Sequence, residues 1–296
     1  MAEGRAFDST MWEDGMTLPN SGSDVPDSGG DMEEVRSLRD RVAGQSAMRD
    51  VVLAQSVASP RSLLARVLGL NPLTPLSRLS YRGALGELLV GDVLENLGQR
   101  WDVLHDLSLG DRVLDHLAIG PAGVFTVHTA NYSDQEVVVD GNALIVDGEV
   151  CDDVDEAMDE AEAASRFLTE ATGTPVKVRP LVVVVDPKRL SVKAPAAPVR
   201  VVASYQLERM LTRALTTLNG TEVALISDHA DRPTTWPSAE APTLDTQQLH
   251  RDFADVRADV RSALVRRILW TAVGIGMLYA VVLVLVSTMV SVIVRA

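Results

Sequence analysis

The chain has 296 residues, of which 41 are acidic and 27 are basic, so its formal net charge at pH 7 is −14. Its mean hydropathy is nevertheless slightly positive, which indicates that acidic segments and a strongly apolar segment share one chain. A single cysteine excludes a disulfide scaffold, a hydrophobic fraction of 46% excludes a uniformly disordered chain, and the acidic average argues against a generic nucleic-acid binder.

The N-terminal region, residues 1–50, is predicted to be disordered and to begin with an acidic tail. Residues 1–34 carry nine acidic side chains and one basic side chain among Gly, Ser and Pro. Such a composition cannot bury enough apolar surface to fold.

Residues 51–77 belong to a basic stretch with leucines at helical spacing, in which Pro72 and Pro75 are expected to act as stops. Two interpretations stay open for this segment. It is either a short helix packed on the domain that follows, or an amphipathic helix lying on an anionic membrane surface.

Residues 78–230 are predicted to form one packed α/β domain. Residues 82–98 have the periodicity of an amphipathic helix. Three strand-like runs follow at 101–109, 112–119 and 122–129, and their short connections indicate antiparallel neighbours.

The second half of this domain begins with a hairpin signal at Gly141-Asn142. A helix is predicted over 152–172, with its acidic side chains on a solvated face rather than in a calcium loop. The β-branched run 180–185 is typical of a strand buried on both faces, and a strand over 199–204 and a helix from Gln206 to about Leu218 complete the pattern.

The C-terminal part is divided into three predicted segments. Residues 231–249 form a Pro- and Thr-rich linker, and 250–267 form a juxtamembrane helix that could also self-associate as a stalk. Residues 268–294 are 27 consecutive uncharged residues, a helix about 40 Å long at ~1.5 Å per residue, which predicts a transmembrane span. Four arginines precede the span, so the positive-inside rule predicts a single-pass cell-membrane protein with a cytoplasmic N-terminal domain: Arg257, Arg261, Arg266 and Arg267.

The order of elements, helix, three antiparallel strands, hairpin, helix and buried strand, is that of a restriction-endonuclease-like core. The sequence also resembles the nuclease-related domain family, NERD, in the stretches GALGELLVGDVLENL, WDVLHDLSL, DHLAIGPAGVFTV and PVKVRPLVVVV. The resemblance covers residues 79 to about 217. The expected fold class is therefore α/β, with a mixed sheet flanked by helices and one C-terminal transmembrane helix.

The resemblance implies a phosphodiesterase site in which carboxylates hold Mg²⁺ and a lysine stabilises the charge that develops on the phosphate. Glu87 and Asp115 match the helix and second-strand acids of the family and would be the metal ligands. His128 stands where the family usually offers an acid and some members an Asn, and Ala130 stands where the lysine is expected. The sequence thus predicts a degenerate site of Glu87, Asp115 and His128 with impaired catalysis. His105 and His116, on neighbouring strands, are interpreted as ordinary strand histidines rather than zinc ligands.

Three functions fit this sequence. The leading hypothesis is a membrane-anchored binding module without nuclease activity, whose partner is a protein or a nucleic acid. Residues 78–217 contain 22 acidic and 13 basic residues, a net charge of −9, which disfavours nucleic acid. The second function is an active metal-dependent DNA or RNA nuclease with an altered site. The third is a scaffold close to the membrane.

Overall fold

The computed structural model describes residues 37–59, 61–237 and 245–295. The predicted acidic tail over 1–34 lies outside the described residues. Helices of four or more residues and strands follow the chain in this order: α1 (Gln45–Ser56), α2 (Leu63–Val67), α3 (Pro75–Glu95), β1 (Asp102–Ser108), β2 (Val113–Gly120), β3 (Gly123–Asn131), β4 (Glu136–Asp140), β5 (Ala143–Val146), β6 (Glu149–Cys151), α4 (Asp153–Thr172), β7 (Val178–Val185), β8 (Arg189–Ala194), β9 (Arg200–Ala203), α5 (Ser204–Thr212), α6 (Gly220–Ala230) and α7 (Thr246–Arg295).

A mixed five-stranded sheet in the order β1-β2-β3-β7-β9 forms the centre of the domain. The first three strands are antiparallel neighbours, and β7 and β9 continue the sheet in parallel with β3. Helix α3 packs on one face of the sheet and α4 on the other. Strand β7 contributes Leu181 and Val183 to one core and Val182 and Val184 to the opposite one. The predicted mixed α/β fold and the strand buried on both faces are confirmed.

A second, four-stranded sheet lies beside the first in the order β6-β5-β4-β8. The hairpin predicted at Gly141-Asn142 joins β4 to β5 in this sheet. Strand β8 was not predicted, because its side chains are half-buried or exposed and provide no apolar alternation.

Several predicted boundaries differ from the structure. Helix α3 begins at Pro75 rather than at residue 82, because Thr74 caps it by accepting a hydrogen bond from the Ser77 amide, and proline suits the first helical position. Helix α5 ends at Thr212 rather than near residue 218. Helix α6 was not predicted, although Asn219 and Glu222 form a capping box at its start.

The core extends beyond the predicted domain range of 78–230. Leu38 and Trp236 are buried in the core that α4 covers, and the Trp236 indole donates to the Ala230 carbonyl at 2.8 Å. Residues 45–50, predicted to be disordered, form the first half of α1. This segment is helical because other parts of the chain cover its few apolar side chains. The composition of the segment alone does not show that such partners exist.

Helix α1 joins α3 and α7 in a further core. Met48 and Val51 of α1 pack with Ala84 of α3 and with Leu249 and Phe253 of α7. Leu249 falls in the predicted linker and Phe253 in the predicted stalk segment. The N-terminal part of α7 is therefore packed on the domain, and this surface is not free to form a stalk.

Helix α7 runs for 50 residues without interruption. Within the described part of the chain it is the one helix that is long and apolar enough to cross a membrane. From Ile268 onward its apolar side chains are largely exposed, in contrast to the buried Phe253. One apolar helix of this length supports the prediction of a single membrane span.

Candidate functional site

The predicted site residues meet where β2 and β3 separate. The last backbone pair of their antiparallel ladder is His116 opposite Val127. Beyond it, Asp115 Oδ2 accepts a hydrogen bond of 2.7 Å from the Thr129 amide. A side chain thus takes the place of a strand partner, and the two strands open around a carboxylate.

The two faces of β3 point to different helices at this opening. Thr129 and Asn131 face α3, which approaches so closely that a Cβ on Gly86 would lie 3.2 Å from Thr129 Cγ2 and 3.1 Å from Asn131 Cβ. His128 faces α4 on the other side. Glu87 therefore reaches the site from one face of the sheet and His128 from the other, with Asp115 at the split between the strands.

Three carboxylates of α4 surround the His128 ring. Its Nδ1 lies 3.0 Å from Glu160 Oε1, and its Nε2 lies 3.5 Å from Asp153 Oδ1 and 3.9 Å from Glu156 Oε2. A carboxylate on each ring nitrogen is satisfied only when both nitrogens carry protons. Burial opposes the charge, but the hydrogen bonds with Asp153 and Glu160 outweigh it and hold the pKa of His128 well above its ordinary value. The carboxylates on both ring nitrogens and the raised pKa favour the imidazolium form of His128.

Asp153 is the ionised partner in this group. The Tyr132 hydroxyl donates to Asp153 Oδ2 at 2.8 Å. Burial favours the neutral acid, yet the hydrogen bonds from His128 and Tyr132 lower the pKa of Asp153 below its ordinary value. Burial, together with Cys151 and Asp153, raises the pKa of the Tyr132 hydroxyl, which therefore stays protonated as a donor.

Asp115 and Glu87 differ from Asp153 because the nearby His128 does not offset the effect of burial on their pKa values. Burial raises the pKa of Asp115 to about 6, although His128 and the Thr129 amide act in the opposite direction. Burial, followed by the charges of Asp115 and Asp106, raises the pKa of Glu87 well above its ordinary value. Burial therefore favours the neutral form of both acids more than solvent does.

Ala130 stands at the position where the resemblance implies a lysine. It lies two residues after His128 on the same face of β3 and is 3% exposed, within a core that includes Val137, Leu144 and Val182. The chain's three lysines are elsewhere in sequence, at 177, 188 and 193, and Lys188 pairs with Glu136 at 3.1 Å. The methyl group of Ala130 can neither orient water nor stabilise an anion.

The donor set does not fit Mg²⁺ as it stands. Mg²⁺ requires several oxygen ligands in octahedral geometry, whereas the His128 imidazolium occupies the centre of the acidic group and offers no lone pair. Among the described residues no group of three or more His, Cys, Asp and Glu side chains is arranged to hold a metal ion. Glu160 Oε2 is buried without a hydrogen-bond partner, so only one of the two oxygens of this carboxylate is hydrogen-bonded.

Sequence reasoning did not find the carboxylates of α4. The prediction that the acidic side chains of this helix are solvated is wrong for Glu160, which is 4% exposed, and for Asp153, whose side chain is largely buried against His128. Their spacing carried the signal, since positions 153, 156 and 160 lie on one helical face that also includes the buried Ala157 and Ala164.

His105 and His116 form a separate buried pair. Their Nδ1 atoms are 2.8 Å apart, the rings meet edge to face, and His105 Nε2 lies 3.3 Å from Glu95. Burial lowers the pKa of both rings, and in His116 the nearby His105 lowers it further. One ring nitrogen must donate to the other, which requires at least one of the two rings to be neutral.

Comparison with known proteins found one family model that matches part of the chain. Residues 82–185 match the family model of the nuclease-related domain, NERD. No curated protein matches the chain, and no solved structure matches it. The matched range runs from within α3 to the end of β7 and contains Glu87, Asp115, His128, Ala130 and the carboxylates of α4. The predicted resemblance is confirmed: residues 82–185 of this chain are similar to the nuclease-related domain, and the split between β2 and β3 lies within that range.

Proposed function

We propose that this protein is a single-pass membrane protein whose cytoplasmic nuclease-related domain binds a protein partner and does not cleave nucleic acid. One observation carries the proposal: at the two positions of β3 that should supply an acid and a lysine, the chain has an imidazolium, His128, and a buried methyl group, Ala130. Metal-assisted hydrolysis of a phosphodiester needs oxygen ligands that hold the metal cation, and a protonated His128 beside the methyl group of Ala130 offers none.

The charge around the site supports a protein rather than a nucleic-acid partner. Close to His128, α4 and the residue before it expose several acids to solvent: Asp152, Asp155, Glu156, Asp159 and Glu162. A polyanion that approached this rim would be repelled, because DNA and RNA bind through clustered basic side chains. A partner with basic side chains would instead meet complementary charge.

A cleavage assay tests the loss of nuclease activity. The full chain in detergent is expected to leave plasmid and single-stranded DNA intact in Mg²⁺, Mn²⁺ or Zn²⁺, with a rate no higher than that of its Asp115→Ala variant. Cleavage by the wild-type chain that Asp115→Ala abolishes would establish the alternative, an active nuclease with an altered site. Salt-sensitive DNA binding without cleavage would contradict the protein partner.

The orientation in the membrane rests on the arginines that precede the span, including Arg266 and Arg267. We expect a cysteine placed at Leu215, 86% exposed, in a Cys151→Ser background to react with a membrane-impermeant maleimide only after cells are permeabilised. Labelling of intact cells would place the domain outside. A cysteine at the C-terminal residue, Ala296, is the matched control and is expected to react in intact cells.

A further inference from the structure

The short helix α2 and the turn that follows it carry a group of exposed apolar side chains. Leu63 and Leu64 are 80% and 68% exposed, and three further apolar residues of this segment are exposed as well: Val67, Leu68 and Leu70. We name these five residues the α2 patch. Single exposed leucines are ordinary on protein surfaces, whereas a contiguous apolar group marks an interaction surface.

The α2 patch is attached to α7 at the turn where the charged part of that helix ends. The Trp270 indole donates a 2.9 Å hydrogen bond to the Val67 carbonyl, and Arg61 pairs with Asp259 at 2.9 Å. Gly69 has a φ of +70°, and a Cβ there would overlap the backbone of Ala263 and Arg267. Only glycine permits this backbone conformation in direct contact with α7.

The apolar surface continues from the patch onto the span. Ile268, Leu269 and Trp270 follow Arg267 directly and are each about half exposed or more. Basic side chains border the same region, since Arg66 and Arg267 are exposed. An apolar surface bordered by arginine is the composition that enters the interface of a bilayer with anionic headgroups, and tryptophan is a common anchor at that depth.

We propose that the α2 patch inserts into the lipid interface beside the entry of α7 and so provides a second membrane contact for the domain. This inference rests on the proposed membrane anchoring by α7. A single helix would leave the domain free to rotate about the helix axis, whereas a second contact restricts its orientation. The site at β2 and β3 would then face the cytoplasm in a defined direction.

Depth-dependent quenching in proteoliposomes tests the proposal. The full chain with Cys151→Ser and Leu64→Cys is labelled with an NBD fluorophore and reconstituted in phosphatidylcholine that contains phosphatidylglycerol. We expect a doxyl quencher near the headgroups to quench this label more strongly than a mid-chain quencher, because interfacial helices lie only about 5–10 Å into the headgroup boundary. Adding Leu63→Asp should remove this quenching.

Two further labels distinguish the possible failures. Val282, near the middle of the apolar stretch, should show the opposite depth preference when labelled, and its failure to be quenched would overturn the membrane anchoring itself. Leu215 is 86% exposed and follows α5, whose Leu211 packs with Leu94 near the C-terminal end of α3, away from the end that contacts α7; its label should not be quenched. If Val282 is quenched while Leu64 is not, the α2 patch does not contact lipid; a shielded but unquenched Leu64 label would indicate a protein contact instead.

Discussion

Replacing His128 by leucine is expected to lower the free energy of unfolding by about 3–5 kcal/mol at pH 6, because the substitution leaves buried carboxylates without their counter-charge. Glu160 and Asp153 lie at 3.0 Å and 3.5 Å from the ring nitrogens, and both are largely buried. Chemical unfolding of the full chain in detergent, followed by circular dichroism, measures the loss. The exposed His250, replaced by leucine, is the matched control and should change stability by less than about 0.5 kcal/mol.

The effect of His128 should depend on pH in a defined direction. Its pKa in the folded protein is above the ordinary value of about 6.5, so its stabilisation is complete below pH 6.5 and is lost as the pH rises through the folded-state pKa. Asp115 acts in the same direction in a lower pH range. Its pKa is raised to about 6, so the protein loses stability as the pH rises from the unfolded-state pKa of Asp115, near 4, to about 6. The difference between wild type and His128→Leu should therefore be largest at or below pH 6.5 and shrink above it. A small difference that does not vary with pH would show that His128 is not a buried cation.

Substituting Glu160, alone and together with His128, tests whether Glu160 is the charged partner of His128. Glu160→Leu alone should also be destabilising, because it leaves the imidazolium without its nearest carboxylate. The double variant should lose less stability than the sum of the two single variants, since neither buried charge is left without its partner. Additive losses would mean that the two side chains do not interact.

The double variant His128→Asp, Ala130→Lys is expected to cleave plasmid DNA in Mg²⁺ about 10²–10³-fold faster than the wild-type chain, the range that one electrostatic stabiliser contributes in other enzymes. The substitution removes the resident cation, adds an oxygen ligand beside Asp115 and supplies an amine on the same face of β3. Product formation from supercoiled plasmid over time measures the rate.

Each single variant should stay inactive for a different reason. His128→Asp adds an anion to the acidic group without an amine, and Ala130→Lys leaves the imidazolium in place. Asp115→Asn in the double variant should abolish the gained activity, because Asp115 lies at the strand split beside the new acid. A double variant that folds, as judged by circular dichroism, yet does not cleave DNA would mean that the loss of nuclease chemistry involves more than these two positions.

The sequence was sufficient to predict the helices and strands whose residues follow a local periodic pattern. The leucines of residues 82–98, the apolar runs of β1 to β3 and the β-branched run of β7 predict their own secondary structure, because helical and strand periodicities are visible within a few residues. The same holds for the long uncharged stretch of α7. The identities of Glu87, Asp115, His128 and Ala130 in the family pattern also required no coordinates.

Residues that depend on distant partners could not be placed in this way. Leu38, Met48 and Trp236 are isolated apolar side chains in polar segments, and they are buried because other parts of the chain cover them. The acids of α4 have the composition of a solvated helix, so the burial of Glu160 is visible only when β3 is seen beneath it.

The sequence by itself determined the similarity to the nuclease-related domain, the main helices and strands of the domain, the apolar C-terminal helix and the alanine at position 130, because each is recorded in residue types or in a short-range pattern. Only the tertiary structure decided that His128 turns toward α4, that Asp153 and Glu160 enclose it, and that α2 lies against the start of the span. The physical reason is that a periodic pattern shows which side chains share a face, whereas the charge state of a side chain depends on the groups that the fold brings opposite to it.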